Sequence, residues 1–172
     1  MRFAFRVDAS SRIGTGHLRR CLSLAQAIRD RGEEIIFVCR RHDFDYSTLL
    51  ASEGFDYILL SRPAGEPPAD LDGPGHSAWA GVNWHADAAE TIEACQARRV
   101  DWVIVDHYAL DTRWHRTVRD ALRSRLAVID DLADRGLCAD IAIDHNFHLD
   151  HQDKYRHLIG GIGRLLAGPR YA

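Results

Sequence analysis

The chain has 172 residues, of which 46% are hydrophobic and 27% charged, and its formal net charge at pH 7 is -3. This length is enough for one domain with a substantial hydrophobic core. The small negative charge gives no electrostatic reason to expect a nucleic acid or an anionic membrane as a partner. The N-terminus lacks the apolar stretch of a signal peptide, and no apolar run is long enough to cross a membrane, so we expect a cytoplasmic protein.

Short apolar runs rich in Val, Ile and Phe alternate with longer segments of helical period, which is typical of a mostly parallel sheet with helices on both faces. The predicted strands are residues 2–8, 34–39, 57–60, 102–106, 126–129 and 141–144. Helices are predicted at about 18–28, at 86–97 and after the N-cap residue Asp111. The sequence therefore predicts an α/β fold with a doubly wound, mostly parallel sheet that binds ligands at the carboxyl ends of its strands.

Cysteine usage and two irregular segments add to this prediction. The four cysteines form no C-x-x-C pair, so we expect reduced and mostly buried thiols, with neither a zinc site nor a redox motif. Residues 62–76 hold four of the five prolines, which predicts a long loop of the kind that serves as a lid or a binding segment. The C-terminal sequence LLAGPRYA has the pattern of a strand approaching a turn without a closing helix, so we expect the first half of a larger protein.

The sequence Gly14-Thr15-Gly16-His17 lies between the first predicted strand and the first helix. Main-chain N–H groups at the start of a helix favour negative charge, and glycines let a ligand approach the backbone closely. The loop is not a dinucleotide-binding fingerprint, because Arg19 stands where the third glycine would be, and no Gly-Lys-Ser/Thr follows as in a P-loop. The alternatives are an anion-binding loop and a plain tight turn.

His17 stands where this helix begins. The positive end of the helix dipole disfavours an imidazolium ion, so we expect a neutral His17 that accepts a proton as a general base on a phosphorylated or nucleotide-linked substrate. The alternative is a histidine that only caps the helix. Arg12, within the loop, is the better candidate for a phosphate contact, while Arg19 and Arg20 are expected to be solvated charges on the helix face.

Polar clusters follow several predicted strands at the edge where ligands are expected. Asp8 ends the first strand. Later strands end in Asp106-His107-Tyr108, Asp130-Asp131 and Asp144-His145-Asn146. A single strand-end acid often serves only as a cap, but several such clusters at one sheet edge together with His17 predict a polar pocket.

Two further patterns have alternative interpretations. His145, His148 and His151 are spaced by three, which would spread them around a helix, so we expect a polar loop, no metal site and no cofactor. Trp79 and Trp84 follow the long loop closely. They are interpreted either as core residues or as aromatic surfaces that stack on a sugar or form part of a lid.

Five segments, spread in order over nearly the whole chain, resemble one enzyme family. They are RVDASSRIGTGHLRRCLSLA from Arg6, WAGVNWHADA from Trp79, VDHYALDTRW from Val105, IDDLADR from Ile129 and LLAGPRYA from Leu165. The family resembled is the UDP-2,4-diacetamido-2,4,6-trideoxy-β-L-altropyranose hydrolases of bacterial pseudaminic acid biosynthesis. The resemblance implies the N-terminal Rossmann-like domain of a glycosyltransferase-B-like fold, with residues 1–172 as the catalytic domain and a second, UDP-binding domain after residue 172.

The resemblance also implies an activity, namely hydrolysis of a UDP-linked diacetamido-trideoxy-altrose to UDP and the free sugar. His17 matches the histidine that is the proposed base in this family, where it activates water for attack at the anomeric carbon. The expected contacts to the substrate are Asp8, Arg12, Gly14, Thr15, Gly16, His107, Tyr108, Asp130 and Asn146. The alternatives are a glycosyltransferase of the same fold and a non-catalytic domain that binds a sugar or a partner protein.

Overall fold

The computed structural model describes residues 1–65, 70 and 72–172. In this part of the chain, one sheet is formed by β1 (Arg2–Val7), β2 (Glu34–Arg40), β3 (Asp56–Leu60), β4 (Trp102–Asp106), β5 (Arg125–Ile129), β6 (Ala139–Asp144) and β7 (Ile162–Ala167). The α-helices are α1 (Gly16–Arg29), α2 (Tyr46–Ser52), α3 (Trp84–Gln96), α4 (Thr112–Leu122) and α5 (His151–Tyr155). Short 3₁₀ segments lie at Ser77–Ala80, Arg156–Gly161 and Pro169–Tyr171.

The strand order is β3-β2-β1-β4-β5-β6-β7, and each neighbouring pair is parallel. β1 lies between β2 and β4, so the winding direction reverses on the two sides of β1. In such sheets a crevice for ligands forms outside the carboxyl ends of the strands at this reversal. The predicted α/β fold with a doubly wound sheet is confirmed, and the reversal point lies directly before the glycine loop.

The helices cover both faces of the sheet, because successive residues of a strand point to opposite sides. On one face, Ala4 and Val105 belong to the same core cluster as Ala88 of α3 and Trp114 of α4. The core cluster of the other face includes Phe5, Val7, Phe37 and Ile104 from the sheet, Leu18, Cys21 and Ala25 from α1, and Tyr46 and Leu50 from α2. Leu18, Cys21 and Ala25 are spaced by three and four residues, so they lie on one face of α1.

Most predicted elements agree with the structure. The six predicted strands match β1 to β6 within two residues at each end, and the C-terminal strand pattern falls within β7. All four cysteines are buried, as predicted. Of the predicted loop at 62–76, residues 66–69 and 71 lie outside the described residues, and the remainder contains no strand or α-helix. Within the described parts of the chain, no helix is both long enough and apolar enough to cross a membrane.

Two arginines and two aspartates form a fully buried ion-pair network on the α3 and α4 face. Arg6 Nη2 lies 2.6 Å from Asp87 Oδ2 and 2.9 Å from Asp8 Oδ2. Arg40 Nη2 lies 2.9 Å from the same Asp87 oxygen, and Trp114 Nε1 donates to Asp87 Oδ1 at 2.9 Å. Burial opposes the ionisation of Asp87, but Arg6 and Arg40 outweigh it and hold the pKa of this carboxyl below its usual value. The network ties α3 and α4 to β1 and β2.

His115 of α4 is fully buried. Its Nδ1 accepts a hydrogen bond from Cys138 N–H at 3.3 Å, and its Nε2 has no partner among the residues that the structure describes. Burial, with a smaller contribution from Arg135, lowers the pKa of His115 from 6.5 to about 3. Between these two values the unfolded chain binds a proton that the folded chain does not. The stability of the fold therefore decreases as the pH is lowered from 6.5 towards 3.

We expect this histidine to reduce the free energy of unfolding by up to about 1.4 kcal/mol for each pH unit below 6.5, or roughly 3 kcal/mol at about pH 4. His115→Gln removes the titrating group, so its stability should depend less steeply on pH. Urea unfolding between about pH 4 and 7 measures the two slopes. His85→Gln changes an exposed histidine of α3 and should keep the wild-type slope. Equal slopes for wild type and His115→Gln would contradict the prediction.

Candidate active site

The loop from β1 to α1 is held in place by its own hydrogen bonds. Gly14 N–H donates to Ser10 C=O at 2.8 Å, and Ile13 N–H donates to Ser10 Oγ at 3.0 Å. Gly14 has φ +79°, a left-handed conformation that favours glycine. Thr15 is the N-cap residue of α1, and its side chain makes no capping hydrogen bond. A Cβ atom at Gly14 or Gly16 would meet no atom within 4 Å, so the space around both glycines is open to a ligand.

His17 lies in the first turn of α1, beside the carboxyl end of β4. Its Nδ1 is 2.6 Å from Asp106 Oδ1. Arg20, one turn further along α1, reaches the same carboxylate, with Nη2 donating to Oδ1 at 2.6 Å and Nε donating to Oδ2. The sheet explains this meeting, because Val7 at the end of β1 is the neighbour of Asp106 at the end of β4. His17 is 9% exposed and is therefore not completely enclosed by the protein.

The contact with Asp106 determines the tautomer of His17. A carboxylate oxygen and an unprotonated ring nitrogen are both acceptors, so a separation of 2.6 Å requires a proton on Nδ1. Arg20 Nη2 also lies 3.0 Å from His17 Nδ1, but Nη2 donates its hydrogen bond to Asp106 Oδ1, which is closer at 2.6 Å. Nε2 of the neutral ring is then unprotonated and can accept a proton. Burial opposes the ionisation of Asp106, but Arg20 and His17 keep the pKa of this carboxyl below its usual value.

The prediction that Arg20 is a solvated charge is wrong, whereas Arg19 is exposed as predicted. The Arg20 side chain is only 21% exposed because it lies against Asp106. Burial alone would lower the pKa of Arg20, but the Asp106 carboxylate raises it above its usual value. Arg20 Nη1 also lies 3.5 Å from Asp131 Oδ2. Arg20 therefore connects two acidic side chains at the carboxyl ends of β4 and β5.

A polar rim continues from β4 to β6 beside His17. Tyr108 OH donates to Asp131 Oδ1, and Asn146 Nδ2 donates to Asp131 Oδ2 at 2.8 Å. The Tyr108 ring meets His17 edge-on, with 4.6 Å between the ring centroids. Burial, together with Asp131, raises the pKa of Tyr108 above its usual value, so its hydroxyl keeps its proton at neutral pH. The structure thus brings His17, Tyr108 and Asn146 together, as the sequence predicted.

Trp79 and His76 form an aromatic wall with Tyr108 beside His17. The Trp79 ring centroid is 6.4 Å from that of His17 and 5.9 Å from that of Tyr108. His76 meets Trp79 edge-on at 4.6 Å. Trp79 is partly exposed, and its place beside His17 favours its interpretation as an aromatic surface for a ligand. Trp84, in contrast, packs against the hydrophobic core from α3.

Gly81 follows the 3₁₀ segment that carries Trp79. It has φ +72°, and a Cβ atom there would lie 2.5 Å from Pro63 Cγ and 3.1 Å from His42 Cε1. We expect Gly81→Ala to lower the free energy of unfolding by more than the roughly 1–2 kcal/mol of left-handed strain. Gly32→Ala is the control for strain alone, because Gly32 has φ +82° and open space around its Cβ position. Urea unfolding compares the two variants, and equal losses would contradict close packing at Gly81.

Asp8 and His107 lie beneath this open cluster. Asp8 is fully buried, and its carboxylate accepts hydrogen bonds from the side chain of Arg6 and from the N–H of Arg40. His107 Nε2 lies 3.0 Å from Asp8 Oδ2, while its Nδ1 accepts from Ala109 N–H at 3.1 Å, so the Nε2 proton is donated to Asp8. The hydrogen-bonding groups of both residues are therefore used within the protein, and the structure places them as supports below the crevice.

Asp130 and Asp131 have different environments although they are adjacent. Asp130 is 1% exposed and accepts hydrogen bonds from Ala133 N–H at 2.8 Å and from Tyr155 OH at 3.1 Å. Arg135 pairs with its other oxygen at 2.5 Å. Asp131 is partly exposed and belongs to the polar rim. The structure therefore brings Asp131, which the sequence analysis named in a strand-end cluster but not among the expected substrate contacts, into the cluster and leaves Asp130 inside the protein.

Arg12 is exposed and lines a separate cavity that Trp79 also borders. His148 and His151 lie 5.6 Å apart between ring centroids, and His151 Nε2 is 3.0 Å from the Asn146 carbonyl. Among residues 1–65, 70 and 72–172, no group of three His, Cys, Asp or Glu side chains is arranged to hold a metal ion.

No protein-family model and no curated protein matches the chain. Among solved structures, the apo form of the lipopolysaccharide outer core galactosyltransferase WaaB is similar, with a TM-score of 0.55 and 14% identity over 94% of this chain and 44% of that one. The calicheamicin glycosyltransferase CalG4 has a TM-score of 0.53 and 16% identity over 93% of this chain and 37% of that one. The chain thus spans less than half the length of either protein. The likeness shows that this chain has the same fold as part of each of these two proteins.

Proposed function

We propose that this chain is the catalytic domain of an enzyme that hydrolyses a UDP-linked diacetamido-trideoxy sugar, in the cytoplasm, as a step towards a sialic-acid-like surface sugar. The observation that carries the proposal is the contact of 2.6 Å between His17 Nδ1 and Asp106, which leaves Nε2 free to take a proton at the ligand crevice. The choice of substrate rests on the resemblance of the glycine loop and four further segments to the hydrolase family named in the sequence analysis. Two glycosyltransferases with the same fold support a role in sugar chemistry.

In the proposed reaction His17 Nε2 removes a proton from water, and the water oxygen attacks the anomeric carbon of the sugar. The bond between this carbon and the β-phosphate oxygen breaks, and UDP leaves as an anion with inversion at the carbon. Asp106 stabilises the imidazolium ion that forms, and the proton then passes to solvent. The diphosphate is a good leaving group, so the reaction needs no second carboxylic acid to protonate the leaving oxygen, unlike typical glycosidases.

The sugar is proposed to lie between the aromatic wall and the polar rim. Trp79 offers an apolar face to the ring, while Tyr108 and Asn146 offer polar groups to the acetamido substituents. The open space at Gly14 and Gly16 lets the substrate approach the backbone where α1 begins. Asp8, His107 and Asp130 would act by holding these groups in place from within the protein. The uridine is proposed to bind to a second domain that follows residue 172.

A second candidate function is transfer of the sugar to a hydroxyl group other than water, with the same base. Two observations favour it. The two structures described above are named as glycosyltransferases. Phe147 and Leu149, directly after Asn146, are 74% and 92% exposed and offer an apolar surface to an acceptor. The fate of the sugar separates the two functions, because hydrolysis yields the free reducing sugar and transfer consumes an acceptor.

The test is release of UDP from UDP-2,4-diacetamido-2,4,6-trideoxy-β-L-altrose by wild type and by His17→Ala, with sugar analysis by NMR. We expect UDP and free sugar in equal amounts from wild type and a loss of at least about 100-fold in His17→Ala. His85→Ala, at an exposed position of α3, is the matched control and should retain full activity. Turnover that survives His17→Ala would contradict the mechanism. Binding of the sugar nucleotide without turnover would favour the non-catalytic alternative.

A further inference from the structure

A second concave surface lies beside the aromatic wall, at the carboxyl ends of β2 and β3. It is a cavity of about 340 Å³ that we name the arginine cavity. Its lining includes Arg12 from the β1–α1 loop, Arg41 directly after β2 and Arg62 shortly after β3. Trp79 also lines it, and the same indole lies 6.4 Å from the His17 ring. One side chain therefore borders both the arginine cavity and the candidate base.

The charge of this cavity is strongly positive. The three arginines are exposed, and within the described ranges none of them forms an ion pair with a carboxylate. Asp43 is the acidic residue of the lining, and its carboxylate accepts hydrogen bonds from Ser11 N–H at 3.0 Å and from Ser11 Oγ. The lining thus carries three guanidinium groups and one carboxylate, and the oxygens of this carboxylate already accept hydrogen bonds from Ser11. Guanidinium groups bind oxyanions in a bidentate manner, and a phosphate has enough oxygens to meet more than one of them.

The walls of the arginine cavity are held in place by the protein. The Ser11–Asp43 hydrogen bonds tie the β1–α1 loop to the segment after β2. Arg41 N–H donates to Leu60 C=O at 3.3 Å, which joins the segment after β2 to the end of β3. On the third side, the backbone at Gly81 packs closely against Pro63. A ligand therefore meets arginine side chains on three anchored segments, so little of its binding energy is used to order the backbone.

From this arrangement we infer that the arginine cavity binds a phosphate group of a phosphorylated ligand. Two sources can supply this group. One is the diphosphate of the sugar nucleotide, and in that case the inference rests on the proposed function and places the phosphates beside the indole that also borders His17. The other is a separate phosphorylated molecule, which would bind whatever reaction His17 performs. Both sources share the same chemistry of recognition, and the kinetic test below distinguishes them.

Isothermal titration calorimetry with inorganic pyrophosphate at low salt tests the inference. We expect saturable binding to wild type and an affinity lower by about tenfold in Arg41→Gln or Arg62→Gln and by about 100-fold in the double variant. The double variant Arg31→Gln/Arg116→Gln is the matched control, because it removes two exposed arginines outside the cavity lining. This control should bind pyrophosphate as wild type does. Circular dichroism verifies that each variant is folded.

Two results would overturn the inference, namely no saturable binding of pyrophosphate to wild type, or equal affinities in the two double variants. Measurements of UDP release then show which of the two molecules supplies the phosphate group. If Arg41→Gln/Arg62→Gln raises KM for the sugar nucleotide, its diphosphate occupies the cavity. If KM is unchanged while pyrophosphate affinity falls, a separate phosphorylated molecule is the ligand. If the wild type binds pyrophosphate through these arginines but releases no UDP even with the proposed second domain present, the result would contradict the proposed hydrolysis and leave the phosphate site established.

Discussion

Asp87→Ala is expected to lower the free energy of unfolding by about 3–5 kcal/mol, because it leaves two buried guanidinium groups without their shared carboxylate. Arg6 and Arg40 both lie within 3 Å of Asp87 Oδ2 and are fully buried. The variant also removes the acceptor of the Trp114 indole N–H. Urea unfolding monitored by circular dichroism measures the loss.

The matched control is Asp120→Ala, which breaks an ion pair with Arg119 at a side chain that is 71% exposed. Exposed pairs contribute little, so this variant should unfold nearly as wild type does. If Asp87→Ala lowered the free energy of unfolding by less than about 1 kcal/mol, as expected for a surface pair, the result would contradict the role of this network in stabilising the site. A conservative variant, Asp87→Asn, keeps the volume but not the charge and separates the loss of charge from the loss of packing.

Asp106→Asn is expected to lower kcat/KM for UDP release by about 100-fold or more, with the fold retained. An asparagine amide can donate to His17 Nδ1, and this would move the ring proton to Nε2, where a base must be unprotonated. Asp140→Asn is the matched control. Asp140 accepts a hydrogen bond from Leu126 N–H near the amino ends of β5 and β6, away from the carboxyl ends where His17 lies. The control should keep wild-type activity.

Nitrogen-15 NMR of the His17 ring tests the same point without turnover. In wild type we expect Nδ1 to carry the proton and Nε2 to be unprotonated when the ring is neutral, and in Asp106→Asn we expect the reverse. An unchanged tautomer in Asp106→Asn would show that Asp106 does not position the ring. A changed tautomer with unchanged kcat/KM would contradict the role of His17 as the base.

The regular part of the fold could be predicted from the sequence because each long element carries its own pattern. The apolar residues of β1, β2 and β4, mostly Val, Ile and Phe, alternate with helices whose apolar faces have a clear helical period, as Leu18, Cys21 and Ala25 show in α1. Helices α2 and α5 were missed, since seven and five residues are too short to display such a period. Their N-cap residues, Asp45 and Asp150, were the available signals.

The site was predicted less completely, because strand-end acids look alike in sequence. Asp8 lies two residues after Arg6, so both side chains are on the same face of the strand and can pair inside the protein. This spacing could have indicated from the sequence that Asp8 is buried. Arg20 lies one helical turn after His17, so their proximity was also readable. The role of Asp106 needed the strand order, since only the pairing of β1 with β4 brings it to His17. Trp79 arrives from an irregular segment without a periodic pattern.

The central position of β1 also has a consequence during synthesis of the chain. Phe3 pairs with Ile35 on one side and with Trp102 on the other, so one neighbour follows after 32 residues and the other only after 99. Until β4 has left the ribosome, the newly made β1 and β2 present an open apolar edge to other chains. The half of the molecule that contains the glycine loop is thus made first but gains its last neighbouring strand only once β4 has been made, and its capture by a chaperone before that point would limit aggregation.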